Sequence, residues 1–180
     1  MQEIQVNPVT LVLGGVRSGK SRYAQQLAAR HARVTVIATA RRSDDEMNAR
    51  IDRHQLDRPT TWTTVEEPVQ LPAAIRSAAT WSDVILVDCL TLYAANLLHL
   101  CGSDTDRLDA HFAALGDVLR EAPCNLVLVA NEVGSGIVPA YELGRRFRDV
   151  AGELNQRVAA IADNVLLMVA GLPLVLKGAA

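Results

Sequence analysis

The fold turns on one stretch. Val9-Thr10-Leu11-Val12-Leu13 leads into Gly14-Gly15-Val16-Arg17-Ser18-Gly19-Lys20-Ser21, and then into Arg22-Tyr23-Ala24-Gln25-Gln26-Leu27-Ala28-Ala29-Arg30. A short aliphatic run of strand character gives way to glycines and then to a helical pattern. Gly14, Gly19, Lys20 and Ser21 satisfy G-x-x-x-x-G-K-S, and the chemistry explains the residue types. Glycines let the backbone curl so that successive N–H groups face phosphate oxygens, and the following helix presents its positive end. Lys20 can reach terminal phosphates, while the Ser21 hydroxyl can ligate magnesium. All eight residues, Gly14, Gly15, Val16, Arg17, Ser18, Gly19, Lys20 and Ser21, are therefore expected to contact nucleotide phosphates.

Outward from this loop, short apolar runs alternate with longer helical patterns. Val34–Ala38, Val84–Val87, Leu126–Ala130 and Val165–Val169 join Val9–Leu13 as expected strands. Each is continuous in Val, Leu and Ile rather than alternating, as strands covered on both faces are. Leu172–Leu176 reads as a final edge strand, with Pro173 arguing against any central place. Helices are expected at about 19–31, 43–55, 67–79, 90–100, 105–121 and 141–162. In the last, Leu143, Phe147, Val150, Leu154, Val158 and Ile161 trace one apolar stripe. The alternation implies a parallel α/β sheet. No linker or repeat divides the 180 residues, so one domain spanning 1–180 is expected.

Composition narrows the function. The net charge of −2 gives no broad cationic field, which argues against nucleic acid as a partner. No apolar run approaches the ~20 residues of a membrane span. MQEIQVNP has neither the basic start nor the apolar stretch of a signal peptide. Cys89, Cys101 and Cys124 are odd in number and lack metal-ligand spacing, which suits reduced thiols in a cytoplasmic protein.

A phosphate loop needs an acid at the end of a neighbouring strand to place the metal. Val84-Ile85-Leu86-Val87-Asp88 supplies one, so Ser21 and Asp88 are the candidate magnesium ligands; a turn or cap is the plainer reading of Asp88. The N-K-x-D signature of regulatory GTPases is absent, since Asn131 is followed by Glu132. Where many motor ATPases have Glu after the strand-ending Asp, this chain has Cys89. Both absences favour a transferase with a small-molecule acceptor. Ser43 and Glu46 form a capping box, from which Met47, Ile51 and His54 fall on one helical face. On spacing alone, His54 is a cation at a helix end or a catalytic group. Asn131, Glu132, Gly134 and Gly136 follow a strand at the edge where open α/β sheets bind ligands, and are candidates for substrate contact. Arg145, Arg146 and Arg148 read as phosphate partners or as a solvated helix face.

Four segments together, GGVRSGKS, IATARRSDDEMNARIDRHQLDRP, VDCLTLYAANLL and NEVGSGIVPAYELGRRFRDVAGELNQRVA, resemble the bifunctional adenosylcobinamide kinase and adenosylcobinamide-phosphate guanylyltransferase family. The resemblance runs from about residue 9 to Lys177. It implies a P-loop NTPase-like (RecA-like) three-layer α/β fold and a homotrimer. It further implies phosphorylation of adenosylcobinamide with ATP or GTP, with Mg2+. Transfer of GMP from GTP to that phosphate follows, through a GMP–histidine intermediate. The family's histidine segment matches Arg50-Ile51-Asp52-Arg53-His54. Some relatives carry two adjacent histidines there, whereas this chain has Arg53 before His54, so the carry-over falls on His54. Nucleotide-contacting positions carry over to Ala38, Thr39 and Ala40, to Gln55, Leu56, Asp57 and Arg58, and to Glu66 and Asp88; Lys20 joins His54 as catalytic.

Overall fold

A computed structural model describes residues 7–42, 45, 48, 52 and 58–178. Seven strands form one sheet: β1 (Val9–Gly14), β2 (Val34–Ala38), β3 (Thr63–Glu66), β4 (Val84–Asp88), β5 (Asn125–Asn131), β6 (Asn164–Val169) and β7 (Leu172–Lys177). Their order across the sheet is β3-β2-β4-β5-β1-β6-β7. The first six run parallel, and β7 returns antiparallel to β6. Among the described residues, five continuous helices pack on the sheet: α1 (Lys20–Ala28), α2 (Leu71–Ala78), α3 (Leu90–Cys101), α4 (Thr105–Glu121) and α5 (Glu142–Ile161).

The continuous apolar runs are explained by two cores. Leu11, Ile85, Val87, Leu126, Leu128 and Ala130 point to the face covered by α2, α3, α4 and α5. Val12, Val84, Leu86, Val127 and Val129 point to the opposite face, where α1 packs through Ala24 and Ala28. Side chains alternate along a strand, so a strand buried on both faces needs apolar residues at every position. Cutting such a residue to Ala, at Leu11 or Leu126, costs about 2–5 kcal/mol.

Three elements differ from expectation. Strand β3 went unread because Thr63–Glu66 is polar and mostly exposed, pairing with β2 on one side only. Helix α2 begins at Leu71 rather than 67, because Glu67 Oε1 accepts from the N–H groups of Val69 (2.9 Å) and Gln70 (2.7 Å) and holds a turn there. Leu143, expected in the apolar stripe of α5, is instead 62% exposed; the stripe becomes buried at Val150, Leu154 and Val158. Strand β7 is present at the sheet's end, where Pro173 pairs with Met168 and needs no partner beyond it. The helix expected at 43–55 lies largely outside the described residues; within it Asp45, Asn48 and Asp52 are helical.

Candidate nucleotide site at the carboxyl edge of the sheet

The phosphate loop joins β1 to α1 with the backbone its glycines permit. Gly19 has φ 93° and lies against Gly171, with 3.2 Å from an added Cβ to the Gly171 Cα. A Cβ on Gly14 would collide with Ser18 Oγ and stand 2.9 Å from the Met168 carbonyl. Arg17 takes a positive φ of 58°. Ser18 N–H donates to the Gly15 carbonyl at 3.3 Å, Lys20 Nζ donates to the same carbonyl at 3.1 Å, and Tyr23 N–H starts the helix from Gly19. Two neighbours pin the loop: the β6–β7 turn through Gly171 N–H to Ser18 O (2.9 Å), and the end of β5 through Glu132 N–H to Gly14 O (3.1 Å). Ser18 is buried, and its Oγ has no partner among the described residues, a donor and acceptor left over inside the loop.

Asp88 ends β4, separated from β1 by β5. Register puts Asp88 beside Ala38 and Val129, and Gly14 beside Asn131, so acid and loop share the carboxyl edge. The peptide between Asp88 and Cys89 is cis. Thr39, fully buried, brackets it: its N–H donates to Asp88 O (3.1 Å), and its Oγ1 accepts from Cys89 N–H (2.9 Å) while donating to Cys89 O (2.6 Å). Asn96 of α3 then donates to Thr39 O (2.8 Å) and Pro68 O (3.0 Å). Burial, then the neighbouring Asp88 charge, pushes the Cys89 thiol up, so it stays neutral rather than acting as a thiolate.

Arg58 Nη2 donates to Asp88 Oδ2 at 3.2 Å, with side chains only 6% and 16% exposed. Its Nε and Nη1 are buried with no partner among the described residues. An unmatched guanidinium edge at the carboxyl end of β4 is chemically suited to an anion. No group of three or more His, Cys, Asp or Glu among the described residues could hold a metal by itself. The Ser21 hydroxyl and Asp88 carboxylate are hard oxygen donors, and magnesium is commonly held by one or two such groups plus substrate phosphates. The donor set fits.

The edge thus brings together Gly14–Ser21, Ala38–Thr39, Arg58 and Asp88, while Glu66 ends β3 beside Ala38, exposed. Ala40 is half-buried, one residue beyond the bracket. The Thr39 side chain is spent on Cys89, so its part in the site is to hold Asp88. His54, Gln55, Leu56 and Asp57 lie outside the described residues. Each of the three arginines read as a phosphate partner or a solvated face donates to a backbone carbonyl. Arg145 Nη1 donates to the carbonyls of Pro139 (3.1 Å) and Ala140 (2.8 Å), Arg146 Nη2 to Gly102 (2.6 Å) and Arg148 Nη2 to Gly134 (2.7 Å). Asn131 is used at both backbone groups: its N–H donates to Thr91 Oγ1 (2.6 Å), and its carbonyl accepts from Asn155 Nδ2 (3.1 Å).

Fold and loop together define a P-loop nucleotide-binding protein. The architecture is shared with an ATPase of a type III secretion system from pathogenic bacteria (TM-score 0.60, 12% identity, 89% of this chain and 50% of that one). A protein of Pyrococcus horikoshii OT3 is also similar (TM-score 0.57, 8% identity, 96% and 87% covered). At such identities the likeness is one of fold, and the chain spans only half of that ATPase. The family described as "Cobinamide kinase / cobinamide phosphate guanyltransferase" matches residues 10–176, and this chain belongs to it. A Pseudomonas aeruginosa relative, "Bifunctional adenosylcobalamin biosynthesis protein CobP", is 50% identical over 169 residues, covering 93% of this chain and 96% of the relative. The Escherichia coli K12 "Bifunctional adenosylcobalamin biosynthesis protein CobU" is 41% identical over 178 residues, covering 93% and 98%.

Proposed function

We propose that this protein, acting as one domain over residues 1–180, catalyses both reactions named by its family. In the first, the acceptor hydroxyl of adenosylcobinamide attacks the γ-phosphorus of ATP or GTP; the bond to the β-bridging oxygen breaks, and the hydroxyl proton is lost. In the second, an imidazole nitrogen of His54 attacks the α-phosphorus of GTP and expels pyrophosphate. A phosphate oxygen of adenosylcobinamide phosphate then displaces the imidazole, giving adenosyl-GDP-cobinamide. Two displacements let each acceptor approach in turn. The lone pair of a neutral imidazole is a competent nucleophile for phosphorus.

The observation that carries the reading is the pinned phosphate loop with Asp88 opposite it, in a chain of this family. Loop amides, Lys20 and Arg58 would neutralise charge on the transferring and leaving phosphates. Magnesium held by Ser21 and Asp88 would supply further charge neutralisation on the phosphate oxygens. Ala38, Ala40, Glu66 and the segment Gln55–Asp57 complete the proposed nucleotide contacts, with buried Thr39 holding the Asp88–Cys89 backbone behind them. The cytoplasm is the proposed compartment, supported by three free, buried cysteines and by the nucleotide substrates. A homotrimer is the proposed assembly. It is supported by β7, a sheet-end strand that exposes Leu172, Leu174 and Leu176. Among the described residues no helix is long and apolar enough to cross a membrane.

The test is a two-stage assay with purified protein and Mg2+. ATP plus adenosylcobinamide should yield ADP and a phosphorylated corrinoid, and added GTP should then release pyrophosphate. ADP formation without pyrophosphate release would reduce the protein to a kinase. Nucleotide binding without corrinoid-dependent turnover would make it a binding module.

A further inference from the structure

The loop between β5 and α5 carries a surface that neither nucleotide chemistry nor the protein's own packing uses. Ile137 is 97% exposed, Val138 61%, Tyr141 68% and Leu143 62%. Single exposed apolar residues are ordinary, but three in one short loop followed by Leu143 in the first turn of α5 form a patch.

The loop is built to present them. Arg145 takes the carbonyls of Pro139 and Ala140, and Arg148 takes that of Gly134, so the backbone oxygens face the helix. Gly144 closes the arrangement: a Cβ there would stand 2.7 Å from Tyr141 Cε2 and 2.8 Å from Pro139 Cβ, so the loop rests directly on the helix backbone. With the polar backbone atoms turned inward, the aliphatic side chains are left outward.

Its place is equally informative. The loop springs from Glu132, whose N–H is bonded to Gly14 O at the start of the phosphate loop. On the other side of β5, the edge is polar, with Arg58 and Asp88. Strand β7 begins at the same edge, where exposed Leu172 pairs with exposed Val169 beside the Gly171 turn that pins Ser18, and then leads away to Lys177 opposite Val165. The β5–α5 loop sets Ile137, Val138 and Tyr141 on the connection that leaves the sheet at Glu132, next to the first glycine of the phosphate loop.

We infer that Ile137, Val138 and Tyr141 form the docking platform for the corrinoid acceptor, a conclusion that rests on the function proposed above. A corrin is a broad macrocycle edged with methyl groups and amide arms. Its hydroxyl-bearing arm must reach the terminal phosphate in line while the ring rests outside the loop. An aliphatic ledge binds the ring's apolar periphery, and Gly136, with nothing within 4 Å of where its Cβ would stand, leaves room for the amides.

The experiment compares wild type with Ile137→Ser/Val138→Ser, with Ile137→Leu/Val138→Leu, which keeps the apolar area, and with Gly144→Ala, which pushes the loop off α5. Readouts are direct binding of the coloured corrinoid by equilibrium dialysis, its KM in the kinase step, the Kd of a fluorescent ATP analogue, and solution mass. The serine pair and Gly144→Ala should weaken corrinoid binding and raise its KM by about ten- to hundredfold, as expected for losing one or two buried aliphatic contacts. ATP affinity and mass should hold, and the leucine pair should behave as wild type. An unchanged corrinoid KM in the serine pair overturns the proposal. So does a fall in solution mass, which assigns the patch to a second copy of the chain. Wild type that binds no corrinoid at all removes the functional reading itself, an outcome distinct from either.

Discussion

Replacing Arg58 with Met separates a ligand-binding role from a structural one. The pair with Asp88 is a single Nη2–Oδ2 contact of 3.2 Å, and the guanidinium is only 6% exposed. Were the pair a stability element, removing one partner would cost about 3–5 kcal/mol by stranding a buried charge. For a chain of this size that is a fall in Tm of roughly 6–20 °C. The geometry argues otherwise. Nε and Nη1 find no partner among the described residues, and each such buried group costs about 1–3 kcal/mol. Met removes those groups together with the contact, so the two effects nearly offset, and Asp88 sits at the sheet edge, 16% exposed, where water can take over. The expected result is a Tm within about 4 °C of wild type, equivalent to ~1–2 kcal/mol. Nucleotide affinity, in contrast, should fall about ten- to hundredfold, since a hydrogen bond to a charged group contributes about 1.5–3 kcal/mol. Differential scanning fluorimetry without nucleotide and titration with a fluorescent GTP analogue measure the two quantities. A large fall in Tm with unchanged affinity would refute the reasoning.

Other perturbations probe the supporting structure. Thr39→Val strips both bonds that bracket Cys89 and should cost about 1–3 kcal/mol in urea unfolding; Thr39→Ser should retain most of it, and only Val should raise the magnesium concentration needed for half-maximal kinase rate. Gly14→Ala drives a methyl group into Ser18 Oγ and towards Met168 O, with an overpacking cost of about 1–3 kcal/mol and a measurable loss of ATP binding by titration. Arg33 holds the Asp83 carboxyl below its usual range, through its side chain first and its backbone N–H second. A depressed folded-state pKa gives stability that is present above the unfolded value near ~3.9 and lost as pH falls through the folded one. Asp83→Asn should therefore flatten the acid limb of a pH–stability curve below about pH 4 and leave its slope near neutrality unchanged.

Much of this was legible in the residues, for physical reasons that differ by element. The phosphate loop announces itself because Gly14 and Gly19 occupy positions where a side chain does not fit, and five strands because burial on both faces demands unbroken apolar runs. Strand β3 gave no such signal, since an exposed edge strand of Thr and Glu makes no hydrophobic pattern. The roles of Thr39 and the arginines were hidden for another reason: Thr39 meets Cys89 across 50 positions of sequence, and Arg146 meets Gly102 across 44. Such contacts arise from sheet order and helix packing rather than local pattern. Leu143 misled because helical spacing says which residues share a face but not how far the covering layer extends. His54, read through family resemblance, belongs to a segment outside the described residues, so its role stands on chemistry still to be measured.

That measurement is direct. Purified, magnesium-replete protein is incubated with GTP labelled at the α-phosphate, and the protein is then isolated and mapped. Acid-labile, base-stable label on His54, absent from His54→Asn and discharged onto added adenosylcobinamide phosphate, is the predicted result. Wild-type protein that takes up no label, or His54→Asn that takes it up as well, would contradict the account.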